Sequence, residues 1–341
     1  MPLHTPGLNE REAVGIAAGM WLAGKKPLVY MQNSGMLVAS NDIGSLLIPC
    51  GMDIPFLVTY RGAEGETAPQ HFATGAATIP LLNAYGMWHG VLAESNAETL
   101  YGECLTGMSA TQKPGVILVK RGWTQSKGIA GEVSTSASVE TKAPGQIVDL
   151  RQPDATLLRE EALSAVWQVV PAQVGLISST GLISRSLFAR HHSQNQFYNA
   201  GGFGLTSAIG MGFAVSRPEK QIIVVEGDSS CLTNFGNLVS IGHHGPNNLV
   251  HVVIDNGAYG SCSEEPSISQ SAHFVQTAAL MGYQSVYQVN SAQKLSWAVT
   301  HALAERKLSL IHVNIQLGGD RNFARPLSMA QNAREFRTQM Q

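Results

Sequence analysis

Short apolar runs, each ending in a small or polar turn, alternate along this chain with longer helix-like segments. In the first third the pattern predicts a helix over Glu10–Ala23, a strand at Leu28–Met31 and a helix near Ile43–Cys50. A strand follows at Phe56–Tyr60, then a helical stretch at Glu98–Thr111 and a strand at Val116–Lys120. Between Gln125 and Leu150 the chain turns polar and small, which reads as a linker. Beyond it the pattern predicts a helix at Thr156–Val169 and strands at Val174–Ser178, Gln196–Asn199, Ile222–Val225, Leu249–Ile254, Ser285–Val289 and Ile311–Ile315. Strands separated by helical stretches imply parallel sheets flanked by helices. The expected organisation is therefore α/β, with one domain over 1–124, a linker over 125–150 and a second domain over 151–341.

Two of these strands end alike. Ile222–Val225 runs into Gly227-Asp228-Ser229, and Leu249–Ile254 runs into Asp255-Asn256-Gly257. Ligands of open parallel sheets bind at that carboxyl edge. A carboxylate, an amide oxygen and a nearby backbone carbonyl make a hard oxygen set suited to Mg²⁺, and such an ion would hold a diphosphate. Ser179-Thr180-Gly181 also follows a strand; its hydroxyls and amides suit either a phosphate or a helix cap. Gly201-Gly202-Phe203-Gly204 precedes a small-residue helix and lets backbone approach a ligand or a neighbouring element. Asn9 is a good N-cap for the first helix, and Glu10 favours its dipole.

Composition narrows the classes. The chain has 341 residues, is 44% hydrophobic and only 13% charged, and carries a net charge of −2. That balance gives no electrostatic case for nucleic acid or an anionic membrane. An anionic substrate would need locally placed cations. The four scattered cysteines show no CxxC spacing and read as reduced thiols of a cytoplasmic protein. No signal-peptide pattern opens the chain, and no apolar run is long enough for a membrane span.

The Gly227-Asp228-Ser229 to Asn256 pattern resembles the magnesium-diphosphate motif of thiamine-diphosphate (ThDP) enzymes, with Ser229 in place of glycine. The resemblance implies two ThDP-binding-fold domains, one for the pyrimidine and one for the diphosphate. It implies Asp228, Asn256 and the carbonyl of Ala258 as Mg²⁺ ligands. Ser179, Thr180, Gly181, Gly227, Ser229, Ser230 and Tyr259 complete the implied cofactor site, with Gly202 and Phe203 under the bent cofactor. Asn9–Gly19 resembles the segment that carries the catalytic glutamate, which hydrogen-bonds the pyrimidine. Glu10 matches that residue, and Glu12 is the second choice.

Tyr30–Gly35, Tyr60-Arg61-Gly62, Ala68–His71, Asp255–Tyr259 and Arg325-Pro326 are similar to strings in phosphonopyruvate and sulfopyruvate decarboxylases, in the same order. The resemblance runs from Leu8 to about Phe336. It implies decarboxylation of a small 2-oxo acid with an anionic group on carbon 3: phosphonopyruvate to phosphonoacetaldehyde first, sulfopyruvate second. Arg61 would pair with the anion. His71 would donate a proton or meet an oxyanion, and Asn33 and Ser34 would hydrogen-bond near the reacting carbon. A homodimer or homotetramer is implied, with sites between subunits. Other acyl transfer by the same cofactor and a catalytically impaired ThDP-binding protein are the alternatives. Three departures stand out. Relatives carry roughly forty more residues before the glutamate, so either the start is misassigned, the sequence is a fragment, or the first domain is N-terminally shortened, and the shortened domain is the expectation. Ser261–Glu265 replaces a Gly-Gly-Gln segment, and its two acidic residues would oppose an anionic substrate. Ser229 matters if its position needs a positive φ.

Overall fold

The computed structural model describes residues 4–123, 143–325 and 328–341. Packing divides the chain into two compact units that do not follow sequence order. The larger holds Met1–Pro27, Asn41–Met52 and Pro144–Gln341; the smaller holds Leu28–Ser40 and Asp53–Ala143. The expected 1–124 domain is thus shared between both units.

The smaller unit is a parallel sheet of four strands: β1 (Val29–Gln32), β2 (Pro55–Tyr60), β3 (Trp88–Val91) and β4 (Gly115–Lys120), in the order β1-β2-β4-β3. Leu100, Cys104 and Met108 of the helix Leu100–Thr111 pack on Ile117 and Val119 of β4. Strand β3 and the helix Phe72–Tyr85 were not expected. Every residue of β3 is half-buried, so no alternation marks it. The helix carries Pro80 in its interior, a residue that ordinarily ends helices.

The larger unit is a parallel sheet of seven strands: β5 (Gln146–Asp149), β6 (Gly175–Ser178), β7 (Gln196–Tyr198), β8 (Ile222–Gly227), β9 (Leu249–Asp255), β10 (Ser285–Val289) and β11 (Ser309–Asn314). Their order is β5-β10-β11-β9-β8-β6-β7. All seven residues of β9 are buried, as a central parallel strand requires. Strand β5 corrects the end of the expected linker. It is a mostly exposed edge strand of only four residues, two polar and two apolar, and this shortness hides its pairing with β10. The rest of that linker, 125–142, lies outside the described residues. Register sets the site: Gly227 pairs with Ile254, so β8 and β9 end within a residue of each other, while Ser178 pairs with Val225, so β6 stops two residues short of the end of β8. The chain goes from β6 outward to β7 and returns to β8 on the other side, a switch point where loops diverge and leave a crevice.

The helix Glu10–Leu22 belongs to this larger unit and lies on the helix Thr206–Ser216. Asn9 caps it, its side-chain oxygen accepting the Glu12 N–H at 2.9 Å. Glycine lets the two backbones touch. A Cβ on Gly19 would lie 1.9 Å from the Ile209 carbonyl oxygen, and one on Gly212 would lie 2.1 Å from that of Ile16. At the far end Arg337 stacks over Trp21 at 4.2 Å, and Arg217 donates to the Ala23 carbonyl at 3.0 Å. No helix among the described residues is long and apolar enough to cross a membrane.

Opposite signs are expected for two glycine-to-alanine changes, both read by urea denaturation. Gly19→Ala should destabilise by about 2 kcal/mol through overpacking, in spite of the better helix former. Gly102→Ala, where an added Cβ meets nothing within 4 Å, should stabilise by about 0.5 to 1 kcal/mol.

Candidate active site

A cavity of about 290 Å³ opens at the carboxyl ends of β6, β8 and β9. Three turns build it. Ser179-Thr180-Gly181 leads into the helix Leu182–His191, with Gly181 at φ 96°. Gly227–Ser230 follows β8, and Asn256, Ala258 and Tyr259 follow β9. Phe203 enters from a fourth segment, on a turn whose flanking Gly202 and Gly204 both adopt positive φ, 58° and 89°. Ile183, Ile254 and Ile315 add apolar wall. Eleven of the residues expected at a cofactor site thus line one cavity. Gly202 stands behind Phe203, its N–H donating to Ser45 Oγ at 3.0 Å. Ser229 lies within the helical turn Asp228–Thr233 and needs no positive φ, so serine is tolerated there.

Asp228 sets the electrostatics. It is 3% exposed, and its side-chain donors among the described residues are hydroxyls: Ser267 at 2.6 Å and Ser229 at 3.4 Å. Burial pushes its carboxyl above the ordinary value of 3.8, Ser267 pulls it back, and the nearby Asp255 charge raises it again. Asn256 Oδ1 accepts the Ala258 N–H at 3.1 Å, and the Ala258 carbonyl accepts from Gly260 at 2.9 Å. Each oxygen keeps a lone pair beyond that bond. A buried carboxylate with no cationic partner among the described residues, beside two further hard oxygens, fits a divalent ion. Behind the wall, Ser230 donates to the buried Glu226 at 2.8 Å, and Glu226 is bonded in turn to His251 at 2.8 Å. Glu226, His251 and Cys231 hold ligand atoms within 4.8 Å of one another. The first two are already satisfied by each other, and they brace Ser230.

The two candidate glutamates part company. Glu12 is buried; its Oε2 takes the Leu8 N–H, its Oε1 has no hydrogen-bond partner among the described residues, and burial raises its pKa. The half-buried Glu10 carboxylate makes no hydrogen bond or ion pair among the described residues. Glu10 is the more exposed of the two carboxylates.

In the smaller unit, Ser34 and His71 come together, Ser34 Oγ lying 3.4 Å from His71 Nδ1 and from Thr74 Oγ1. Asn33 does something else. It is fully buried, donates to the Arg61 carbonyl and to Thr78, and accepts the Arg61 N–H, so it ties β1 to β2. Arg61 forms a two-pronged pair with Glu66, at 2.7 Å from Nε and 3.0 Å from Nη2. That pairing, with the backbone N–H groups of Ala68, Gly62 and Thr67, holds the Glu66 carboxyl far below the carboxylate range.

Sequence reasoning missed Arg159. Its side chain lines the cavity, is almost wholly buried, and donates to Glu160 and to the Asp320 carbonyl. The available signal was a cation in the first turn of a helix, where the dipole disfavours it. Glu264 is also not a bare charge. Arg321 pairs with it at 2.6 Å and donates to the Cys262 carbonyl at 2.9 Å. Glu264 sits at φ 62°, a conformation that favours glycine. Pro326 lies outside the described residues.

Residues 179–313 match the thiamine pyrophosphate enzyme family, C-terminal TPP binding domain. Over 336 residues the chain is 31% identical to a phosphonopyruvate decarboxylase of Streptomyces viridochromogenes, covering 96% of this chain and 83% of that protein. The chain belongs to the thiamine-diphosphate-dependent decarboxylase family. A second member, a sulfopyruvate decarboxylase of Methanosarcina acetivorans, is 28% identical over 335 residues, covering 96% of this chain and 86% of its own. Among solved structures, the ThDP-dependent 4-hydroxybenzoylformate decarboxylase of Rhodococcus jostii RHA1 superimposes with a TM-score of 0.67 over 92% of each chain. At 14% identity that likeness concerns the fold alone. The protein is therefore an enzyme of this decarboxylase family, and its cofactor is ThDP.

Asp228 makes a pH prediction for the protein without cofactor or metal. Its folded pKa lies above the unfolded one, so folding binds protons, and stability is lost as pH rises from 3.8 through the raised value. Asp228→Asn should therefore unfold at a higher temperature than wild type at pH 7. The difference should close below pH 3.8.

Proposed function

We propose that the enzyme decarboxylates a 2-oxo acid with an anionic group on carbon 3, phosphonopyruvate ahead of sulfopyruvate, and that Mg²⁺ holds the cofactor diphosphate. The observation that carries this reading is the cavity lined by Asp228, Asn256 and Ala258 at the carboxyl ends of β8 and β9. Asp228, Asn256 and the Ala258 carbonyl would hold the metal; Ser179-Thr180-Gly181 and Ser230 would hold the diphosphate, and Phe203 would support the rings. When bound, the cofactor supplies an electron sink for the carbanion left as CO₂ departs. The chain's own groups supply the rest. Glu10 holds the pyrimidine-side proton. The bond between the carboxylate and the keto carbon breaks, CO₂ leaves, and His71, with Ser34, returns a proton to that carbon before the aldehyde is released.

For the substrate anion we assign the Nη1 edge of Arg61, since Glu66 takes the other edge. Pairing of Glu264 with Arg321 removes one of the two charges that would have repelled such a substrate. A homodimer or homotetramer is the assembly we expect; exposed Ile268 and Leu280 on the larger unit are consistent with association.

The test supplies ThDP and Mg²⁺ with phosphonopyruvate, sulfopyruvate or pyruvate, and follows CO₂ and aldehyde. Phosphonopyruvate should give the highest kcat/KM; equal rates with all three acids would refute the anionic specificity. Glu10→Gln should reduce kcat by about a hundredfold or more, while Asp228→Ala should abolish the Mg²⁺ dependence of ThDP binding measured by calorimetry.

A further inference from the structure

Glu10 has a neighbour whose chemistry the decarboxylation reading leaves unused. Arg11 reaches away from the helix Glu10–Leu22 and makes three hydrogen bonds. Two go to Asp42, from Nε at 2.7 Å and Nη2 at 3.0 Å, and Asp42 is fully buried. The third runs from Nη2 to the backbone carbonyl of Phe203 at 2.7 Å. Asp42 itself opens a π-helical turn, Ile43–Leu47, closed by the Ile48 N–H on the Ile43 carbonyl at 3.1 Å. Such turns are rare and concentrate at functional sites. Ser45, inside this turn, accepts the Gly202 N–H, and its carbonyl sits so close to Gly201 that no Cβ would fit.

A second route joins the same two places from the other side of Glu10. Asn9 donates to Asn234 at 3.1 Å, Asn234 to Asn237 at 2.6 Å, and Asn237 to the Gly204 carbonyl at 3.1 Å. The residues before and after Glu10 are thus each tethered to the turn that presents Phe203 to the cavity. The Phe203 turn has two positive-φ glycines and is closed by one backbone bond of its own, from the Leu205 N–H to the Gly202 carbonyl at 3.0 Å, so its position relative to Glu10 is set by these outside tethers.

We propose that Arg11 is a positioning residue: with Asp42 it locks the Phe203 turn at a set distance from Glu10, so that the support beneath the cofactor and the glutamate beside it move as one piece. The proposal rests on the ThDP reading of the cavity. A charge-assisted pair with a buried carboxylate is strong enough to hold such a register, and its loss leaves a buried charge unpaired.

The experiment compares wild type, Arg11→Met, Arg11→Lys and Asp42→Asn. In cofactor-free protein, amide hydrogen exchange of the segment 199–208 should be faster in Arg11→Met, with β8 and β9 unchanged. With ThDP and Mg²⁺, Arg11→Met, which loses the bond to the Phe203 carbonyl together with both bonds to Asp42, should weaken ThDP binding by about tenfold and lower kcat at saturating ThDP by a similar factor. The substrate KM should stay near the wild-type value. Arg11→Lys keeps the charge but cannot span both partners, and should fall between the two. Unchanged exchange in Arg11→Met overturns the proposal. So does faster exchange with unaltered ThDP affinity and kcat, which would leave Arg11 a purely structural role. Should Arg11→Met fail to fold, Arg11→Lys and Asp42→Asn decide by the same measures. A wild type that binds no ThDP would refute the proposed function, and exchange alone would then decide the lock.

Discussion

Backbone contact between two helices is the constraint on which the larger unit depends. Helices usually meet through side chains at 8–10 Å between axes. Here Gly19 and Gly212 bring carbonyls of one helix against the Cα atoms of the other. No other residue type allows that approach. It fixes the helix that begins at Glu10 against the helix that follows the Phe203 turn, and the ends are pinned by Asn9 on one side and by Arg217 and Arg337 on the other. The position of a potential proton-handling group thus follows from two glycines a helical turn or more away.

The carboxyl edge of the seven-stranded sheet gathers acid, and the fold answers each acid differently. Glu226 faces His251 at 2.8 Å. Asp255 faces His312 at 2.9 Å; burial pushes its carboxyl up, but His312 outweighs that and the net shift is downward. Asp228 receives neutral donors, chiefly the Ser267 hydroxyl. Two of the three carboxylates are therefore compensated from within the chain, and the third is left for a ligand. That asymmetry, more than the presence of acidic residues, is the ground for proposing a metal at Asp228.

Much of this is legible in the sequence, for identifiable reasons. Strands β8 and β9 are short uninterrupted apolar runs closed by polar turns, so their pattern alone places Asp228 and Asn256 at strand ends. Strand β5 escapes such a reading, because its four residues, Gln146-Ile147-Val148-Asp149, mix polar and apolar on both faces and follow a long polar stretch. Nor is the role of Asn33 visible. A string can match a family while the side chain inside it also binds two strands together. Arg61 loses half its apparent availability to Glu66, five residues on, through a pairing that depends on how the loop turns. Arg159 is hidden because a lone arginine at a helix start carries no spacing pattern. Residues whose roles follow from a strand end or a helix start are readable; those whose partners come from distant loops are not.

Of the four cysteines, three are buried, and burial pushes the thiols of Cys50 and Cys104 up to about 12 and about 11. Burial also pushes the enclosed Cys231 thiol well above its ordinary value. Only Cys262 is exposed, and it lies on the wall of the cavity. A thiol-directed label therefore meets a single ready site on the folded protein. The rate at which that label attaches is a reporter of cavity occupancy already built into the native chain.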